Sequence, residues 1–276
     1  MVAAMKMHGS LFLAAALFVA SPTFAAVGEW GEGTKAQARL IAAGVGADGK
    51  LIAGIEIALP EDWHTYWRSP GDAGVAPQFD FSGSTNLGAP VVDFPTPTRL
   101  DDGFAVTNVY ENSVVLPVSA TVTDPAKPVD VDVRLHIGVC ADVCVPDDIE
   151  ARLAIPVGEQ DADIGSELTD VRNALPGPPQ PGVFAFSDIT RDGGTDNHPV
   201  FRFTGVLPDA KDAGVFVEGP ADWSPYTPEF MGEANGTATW SVKFTRLGAK
   251  TPIAGASFRL TAVSGGHAID QTLTLP

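Results

Sequence analysis

The sequence predicts an all-β protein of two β-sandwich domains joined by a short helix and a proline-rich linker. Short apolar runs alternate with polar residues at a period of two, which is typical of half-buried antiparallel strands. The 29 glycines and 23 prolines among 276 residues favour many turns over long helices. Each half of the chain is long enough for a sandwich, which takes roughly 100 residues.

The first 25 residues are predicted to be a secretory signal peptide. Lys6 gives a basic start, residues 11–20 form a continuous apolar run, and Ala25 ends a segment suited to cleavage. The apolar run is too short to cross about 30 Å of hydrocarbon as a helix, and no later run reaches about 18 apolar residues. We therefore expect a soluble mature protein in the periplasm, an oxidising compartment.

Charge and composition exclude several classes of function. The formal net charge of −17 disfavours binding to nucleic acid and to anionic membrane surfaces. Two cysteines are too few for a disulfide-rich small domain or a four-cysteine zinc site. The sequence also lacks a glycine-rich phosphate loop, a Ser-His-Asp order and an HExxH zinc helix. We therefore expect no cofactor and no resident metal.

The first domain is predicted at residues 28–157. Its two best strands, residues 130–139 and 148–157, place an apolar side chain at every second position. Residues 51–59 and 113–118 are further strand candidates. This alternation predicts antiparallel strands with one face in a core and the other in solvent.

Residues 158–181 are predicted to form the connection between the domains. Four apolar residues recur there at helical spacing: Ile164, Leu168, Val171 and Leu175. Prolines and glycines in residues 176–182 then end the helix and make a stiff linker.

The second sandwich is predicted at residues 182–276. Its strand candidates are residues 184–189, 200–204, 215–218, 237–245, 257–263 and 268–275. Its aromatic residues Trp223, Tyr226, Phe230 and Trp240 are expected to pack in the core. Residues 182–276 contain no cysteine, so we assign no chemistry to this domain.

Cys140 and Cys144 lie between the two best strands, so a three-residue hairpin loop would place them opposite each other. A disulfide there is feasible but strained, because opposed Cβ atoms lie about 4.5–5.5 Å apart and a relaxed disulfide needs about 3.8 Å. Strained disulfides are easier to reduce. Strand parity puts Cys140 on the face of His136 and Cys144 on the face of Asp148. Both sulfurs are therefore expected on the polar face.

The residues alone leave three interpretations of this pair open. Closing so short a ring removes little chain entropy, which favours redox exchange over an inert structural disulfide. Asp142, Asp147 and Asp148 crowd the loop and disfavour a thiolate, so the pair is better suited to being attacked than to attacking. The two thiolates together with His136 could instead hold Cu(I) or zinc. The third interpretation is an inert disulfide that ties the hairpin.

Four motifs are spread along most of the chain beyond its first 25 residues. They are residues 63–74 (WHTYWRSPGDAG), 110–118 (YENSVVLPV), 140–146 (CADVCVP) and 217–223 (VEGPADW). The chain thereby resembles periplasmic proteins related to the N-terminal domain of the thiol:disulfide interchange reductase DsbD. DsbD separates its two cysteines by five residues and this chain by three, which favours the ScsB-type suppressor-of-copper-sensitivity variant of the family.

The resemblance implies an immunoglobulin-like first domain with a redox-active cysteine pair, a component of a protein-disulfide reductase system. In the family, such a domain receives electrons from a membrane-embedded thiol relay. It passes them to periplasmic partners, which here would be thioredoxin-like or disulfide isomerase-like proteins or the machinery that matures apocytochromes. Family members usually continue into a transmembrane domain and a thioredoxin-like domain. We therefore expect a separate membrane protein to supply the relay.

The resemblance also implies which residues surround the cysteines. In the family, a loop tipped by an aromatic residue caps the pair, and residues 101–104 (DDGF) lie at the matching place. Phe104 is therefore the expected cap, which would shield the dithiol and lift when a partner docks. The residues expected near the catalytic Cys140 and Cys144 are Asp102, Tyr66, Trp67, Tyr110 and Asp142.

Overall fold

The computed structural model describes residues 26–276, so the predicted signal peptide lies outside the described residues. This part of the chain forms four antiparallel sheets and one α-helix. The sheets make two immunoglobulin-like β-sandwiches, which confirms the fold class predicted from the sequence.

The first sandwich contains two sheets. Its strands are β1 (Gly31–Glu32), β2 (Gln37–Val45), β3 (Lys50–Ala58), β4 (His64–Gly71), β5 (Gln78–Asp80), β6 (Val91–Val92), β7 (Thr98–Asp101), β8 (Val106–Glu111), β9 (Ser113–Thr121), β10 (Val129–Cys140) and β11 (Cys144–Ile155). One sheet has the order β1-β2-β3-β9-β6. The other has the order β11-β10-β4-β8-β7, with β5 paired to β10.

The β10–β11 hairpin supplies one face of the first core. Its register runs unbroken from Val129 opposite Ile155 to Cys140 opposite Cys144. The alternate apolar residues of both strands are buried as their pattern predicted, but β11 ends at Ile155, and Val157, which the predicted strand included, is 51% exposed. A slip by one residue would turn this whole apolar set into solvent, so burial fixes the register and with it the position of the cysteines.

The helix α1 (Ala162–Asn173) packs on the first sandwich. Asp161 caps its N-terminus by accepting hydrogen bonds from two backbone N–H groups of the first turn. Leu168 is fully buried against β3, and Arg172 donates a 2.9 Å hydrogen bond to a carbonyl of β9. No helix in residues 26–276 is long and apolar enough to span a membrane.

The second sandwich also contains two sheets. Its strands are β12 (Ala185–Gly194), β13 (Pro199–Val206), β14 (Gly214–Glu218), β15 (Ser224–Pro225), β16 (Glu229–Ala234), β17 (Thr237–Thr245), β18 (Ser257–Ser264) and β19 (His267–Thr274). One sheet has the order β12-β13-β17-β15 with β16 paired to β17, and the other the order β14-β18-β19.

Aromatic side chains dominate the second core. Trp223 and Trp240 are buried there as expected, and Phe230 packs at its edge. The expectation for Tyr226 was wrong, because its side chain is 43% exposed beneath the ammonium group of Lys243. The backbone of Tyr226 lies at the sheet edge, where its N–H is bonded to the carbonyl of Lys243 at 2.8 Å.

The two sandwiches pack directly against each other. Phe216 of β14 enters the first core, where its ring centroid lies 5.4 Å from that of Trp67. The proline-rich segment is tied to β19, because Gly177 donates to Ala268 and accepts from Asp270, both at 2.9 Å. Through the contact between Phe216 and Trp67, the second sandwich touches β4, the strand that also borders the cysteine pair.

Candidate functional site

The two cysteines form a disulfide at the tip of the β10–β11 hairpin. Cys140 ends β10 and Cys144 begins β11, so they are directly opposed, with their Cα atoms 4.1 Å apart. Ala141 donates a backbone hydrogen bond of 3.1 Å to Val143 and closes the three-residue loop. The hairpin predicted from the sequence is therefore confirmed.

The two halves of this disulfide differ in their exposure. Cys144 is exposed, but Cys140 is only 2% exposed. The expectation that both sulfurs lie on an open polar face was therefore wrong for Cys140. Cys140 lies outside the main core, as strand parity predicts, but Tyr66 and Val109 cover this end of the face.

Tyr66 makes the closest polar contact to the disulfide. Its hydroxyl donates a hydrogen bond of 3.0 Å to Sγ of Cys140 and lies 3.7 Å from Sγ of Cys144. Burial, assisted by the negative charge of Asp102, raises the pKa of the phenol, so it remains a donor at neutral pH. When the disulfide is reduced, this donor can stabilise a thiolate at Cys140 by a charge-assisted hydrogen bond.

A cavity of about 500 Å³ opens beside the disulfide. Both cysteines line it, together with Tyr66, His64 and Leu100. His64 pairs with Cys140 across β4 and β10, and its ring lies edge-on to that of Tyr66 at 5.5 Å. Partial burial lowers the pKa of His64, although Glu111 and Asp102 oppose the shift. The imidazole is therefore neutral at neutral pH.

The loop of residues 101–105 forms another wall of the cavity. The carboxylate of Asp102 accepts hydrogen bonds from the backbone N–H groups of Ala105 (2.9 Å) and Phe104 (2.8 Å), which lower its pKa. Asp102 and Ala105 line the cavity. The side chain of Phe104 is 99% exposed, so in this structure its ring reaches into solvent and does not cover the disulfide.

Two of the aromatic residues expected near the cysteines lie elsewhere. Trp67 is fully buried in the main core, because successive residues of a strand point to opposite faces and Tyr66 takes the cysteine side. Tyr110 also belongs to the main core, where its hydroxyl donates a 2.6 Å hydrogen bond to the carbonyl of Pro95. Its burial raises the pKa of that hydroxyl.

The three acidic residues near the loop have different surroundings. Asp142 is exposed in the loop, and Asp148 pairs with His136 at the surface. Asp147 is buried, and its carboxylate accepts hydrogen bonds from three consecutive backbone N–H groups of residues 34–36. The expectation that all three carboxylates crowd the disulfide was wrong for Asp147, which points to the opposite face of β11.

The part of the chain that the structure describes contains no group of three or more His, Cys, Asp or Glu side chains arranged to hold a metal ion. His136 does line the same cavity as the two cysteines, but its imidazole is bonded to Asp148. The oxidised pair presents a disulfide surrounded by one phenol, two imidazoles, the carboxyl groups of Asp102 and Asp148, and apolar side chains.

His64 lies beside Cys140, a position that was not predicted from the sequence. The signal was present in residues 63–67, since His64 and Tyr66 are two apart and must share one face of a strand. The pairing of that strand with β10 involves residues more than 70 positions apart, and nothing in the local pattern fixes such a long-range register.

Comparisons with known proteins identify a matching family and a similar fold. Residues 35–155 match the protein family described as "Thiol:disulfide interchange protein DsbD, N-terminal". The fold is similar to the crystal structure of the N-terminal periplasmic domain of ScsB from Proteus mirabilis, with a TM-score of 0.72 and 20% sequence identity. That similarity covers 91% of this chain and 98% of the ScsB chain. No curated protein sequence matches the chain.

Proposed function

We propose that the protein is a periplasmic thiol:disulfide interchange protein, since residues 35–155 match the family of the DsbD N-terminal domain. Cys140 and Cys144 alternate between disulfide and dithiol. They accept electrons from a membrane-embedded thiol relay and pass them to periplasmic partners. One observation carries the proposal: the disulfide has one exposed and one buried sulfur, and the buried sulfur accepts a hydrogen bond from Tyr66.

Reduction of the pair proceeds through a mixed disulfide. A thiolate of the donor attacks Sγ of the exposed Cys144, and the Cys140–Cys144 bond breaks with Cys140 leaving as a thiolate. The hydroxyl of Tyr66 already points at that sulfur and stabilises its new charge. The second thiolate of the donor then attacks the mixed disulfide, which releases Cys144 and leaves the donor oxidised by two electrons.

Delivery of the electrons reverses these steps. The Cys144 thiolate attacks a disulfide of the acceptor, and Cys140 then attacks the mixed disulfide, so the internal bond forms again and the acceptor leaves as a dithiol. The pair carries two electrons by itself, so the cycle needs no cofactor. Thioredoxin-like proteins, disulfide isomerase-like proteins and the apocytochrome maturation machinery are acceptors of suitable chemistry.

The measurement that tests this proposal is the reduction potential of the Cys140–Cys144 pair in glutathione and dithiothreitol buffers. An exchange protein is expected to lie between roughly −180 and −270 mV. A potential below about −300 mV is typical of structural disulfides and would contradict the proposal.

Copper binding is a second candidate, and one observation favours it. Reduction would give two thiolates, the soft ligands that select Cu(I), and His64 and His136 line the same cavity as the two sulfurs. Titration of the reduced protein with Cu(I) tests it. Tight 1:1 binding that is lost in Cys144→Ser supports copper binding, and the absence of binding to the reduced wild type excludes it.

A further inference from the structure

We propose that the second sandwich positions the Tyr66 side of the disulfide cavity by holding strand β4 at Arg68 and Asp72. This inference rests on the proposed function, since it concerns the reactivity of the same cysteine pair. The second sandwich would then influence thiol:disulfide exchange even though it contains no cysteine.

The pairing of strand β4 with β8 is irregular where β4 contacts the second sandwich. It pairs with β8 up to Tyr66, and the pairing resumes only at Gly71. Arg68 lies in this gap, and its guanidinium donates to both carboxylate oxygens of Glu218 at 2.8–3.1 Å. It also contacts Asp270 at 3.3 Å. The contacts across the sandwich boundary therefore fall on the part of β4 that has no ladder pairing with β8.

The Arg68 side chain is 13% exposed, so this ion-pair cluster is largely withdrawn from water. Such clusters contribute little net stability, because the cost of desolvating the charges offsets their attraction. Their geometry is nevertheless strict, because a guanidinium bound to both oxygens of one carboxylate has a fixed orientation. The packing of Phe216 against Trp67 supplies the apolar contact between the sandwiches. Since neither net stability nor apolar contact depends on Arg68, its role is to fix the position of β4.

A second contact holds the end of β4 in the same way. One carboxylate oxygen of Asp72 accepts a hydrogen bond from the backbone N–H of Thr227 in the second sandwich, at 3.1 Å. The other accepts from the N–H of Val106 at 3.2 Å. Val106 directly follows the loop of residues 101–105, which lines the cavity. Asp72 therefore links the second sandwich to two walls of the site.

The position of β4 reaches the sulfur through Tyr66. Arg68 is two residues beyond Tyr66, and its guanidinium lies over the ring of Trp67, the direct neighbour of Tyr66, at 4.0 Å. Past Asp72, the chain turns back over the Tyr66 ring: a Cβ atom at Gly74 would lie 2.3 Å from it. The ring is thus held between the Gly74 backbone and Cys140, and its hydroxyl is 3.0 Å from Sγ. A shift of β4 at either anchor changes that contact.

The test alters only the second sandwich and reads out the chemistry of the first. Glu218→Gln with Asp270→Asn removes both charges that hold Arg68. We expect the equilibrium constant with glutathione and the rate of reduction by dithiothreitol to change by about threefold to tenfold. The equilibrium constant should move in the same direction as in Tyr66→Phe. The matched control is Glu56→Gln, which breaks the Arg39–Glu56 ion pair within the first sandwich and should leave both quantities within about twofold.

Each result decides a separate question. If the folded double variant matches the wild type while Tyr66→Phe is shifted, the positioning role is overturned and the exchange function stands. If Tyr66→Phe also has the equilibrium constant and the rate of the wild type, the contact between Tyr66 and Cys140 does not affect reactivity, and the positioning role is again overturned. A wild-type protein that does not equilibrate with glutathione or dithiothreitol would instead remove the proposed function. If the double variant does not fold, the isosteric Glu218→Gln alone is judged by the same criteria.

Discussion

Cys140 and Cys144 share one bond but not one environment, because Cys140 is buried beneath Tyr66 while Cys144 is exposed at the start of β11. In a disulfide exchange, the accessible sulfur is the one that an incoming thiolate can reach. The asymmetry assigns the attacked position to Cys144 and the leaving position to Cys140.

The first prediction concerns trapping of mixed disulfides. Cys140→Ser leaves the exposed Cys144 without its partner, so it should form a mixed disulfide with oxidised glutathione on the order of tenfold faster than Cys144→Ser does. Mass spectrometry over a time course measures both rates. Equal rates would show that the difference in burial does not govern reactivity.

The second prediction concerns the hydroxyl of Tyr66. Tyr66→Phe removes the donor to Sγ of Cys140, and a hydrogen bond to a charged group contributes about 1.5–3 kcal/mol. The thiolate gains more from this bond than the disulfide does, so the reduction potential should fall by about 30–60 mV. The control is Tyr110→Phe, which also loses a buried hydrogen bond but away from the disulfide. It should lower stability and leave the potential unchanged.

The third prediction concerns His64 and pH. Burial lowers its pKa in the folded protein below the usual value of 6.5, so between those two pKa values the unfolded chain binds the proton more readily. The free energy of unfolding should therefore decrease as the pH falls through about 6.5 and level off below the folded pKa. His64→Gln should flatten this part of the pH profile. An NMR titration that places the imidazole above 6.5 would contradict the prediction.

The hairpin and the main core were predictable because their signals are local. The alternation in residues 130–139 and 148–157 specifies two strands, a three-residue loop and opposed cysteines. The burial of Cys140 was not predictable in this way, since it depends on Tyr66, a residue of another strand 74 positions away. Strand parity gives the face of a side chain, but only tertiary structure says what covers that face.

The misplacement of Trp67 has a different cause, which is local. Tyr66 and Trp67 are adjacent in the sequence, and the family resemblance placed both beside the cysteines. A strand must turn adjacent side chains to opposite faces, so only one of them could be there.

The contacts of Arg68 with Glu218 and Asp270 could not be predicted from the local sequence, because they join residues at least 150 positions apart.

The fourth prediction concerns Asp147. Its buried carboxylate accepts hydrogen bonds from the backbone N–H groups of Thr34, Lys35 and Ala36. Asparagine offers one acceptor oxygen and turns an NH2 group toward these donors, so Asp147→Asn should lower the free energy of unfolding by about 2–3 kcal/mol. Urea denaturation of the oxidised protein measures this loss. The exposed Asp142→Asn is the control and should stay within about 0.5 kcal/mol of the wild type.

The last prediction concerns Phe104 and the loop of residues 101–105. The ring is 99% exposed here, so a cap would require the loop to swing over the disulfide. There is space around Gly103 for such a motion, since no heavy atom lies within 4 Å of where its Cβ would be. Phe104→Ala should leave thermal stability unchanged, because the ring contributes no buried surface. If the ring caps the dithiol, the same variant should be oxidised several-fold faster by hydrogen peroxide, and an unchanged oxidation rate would remove Phe104 from the site.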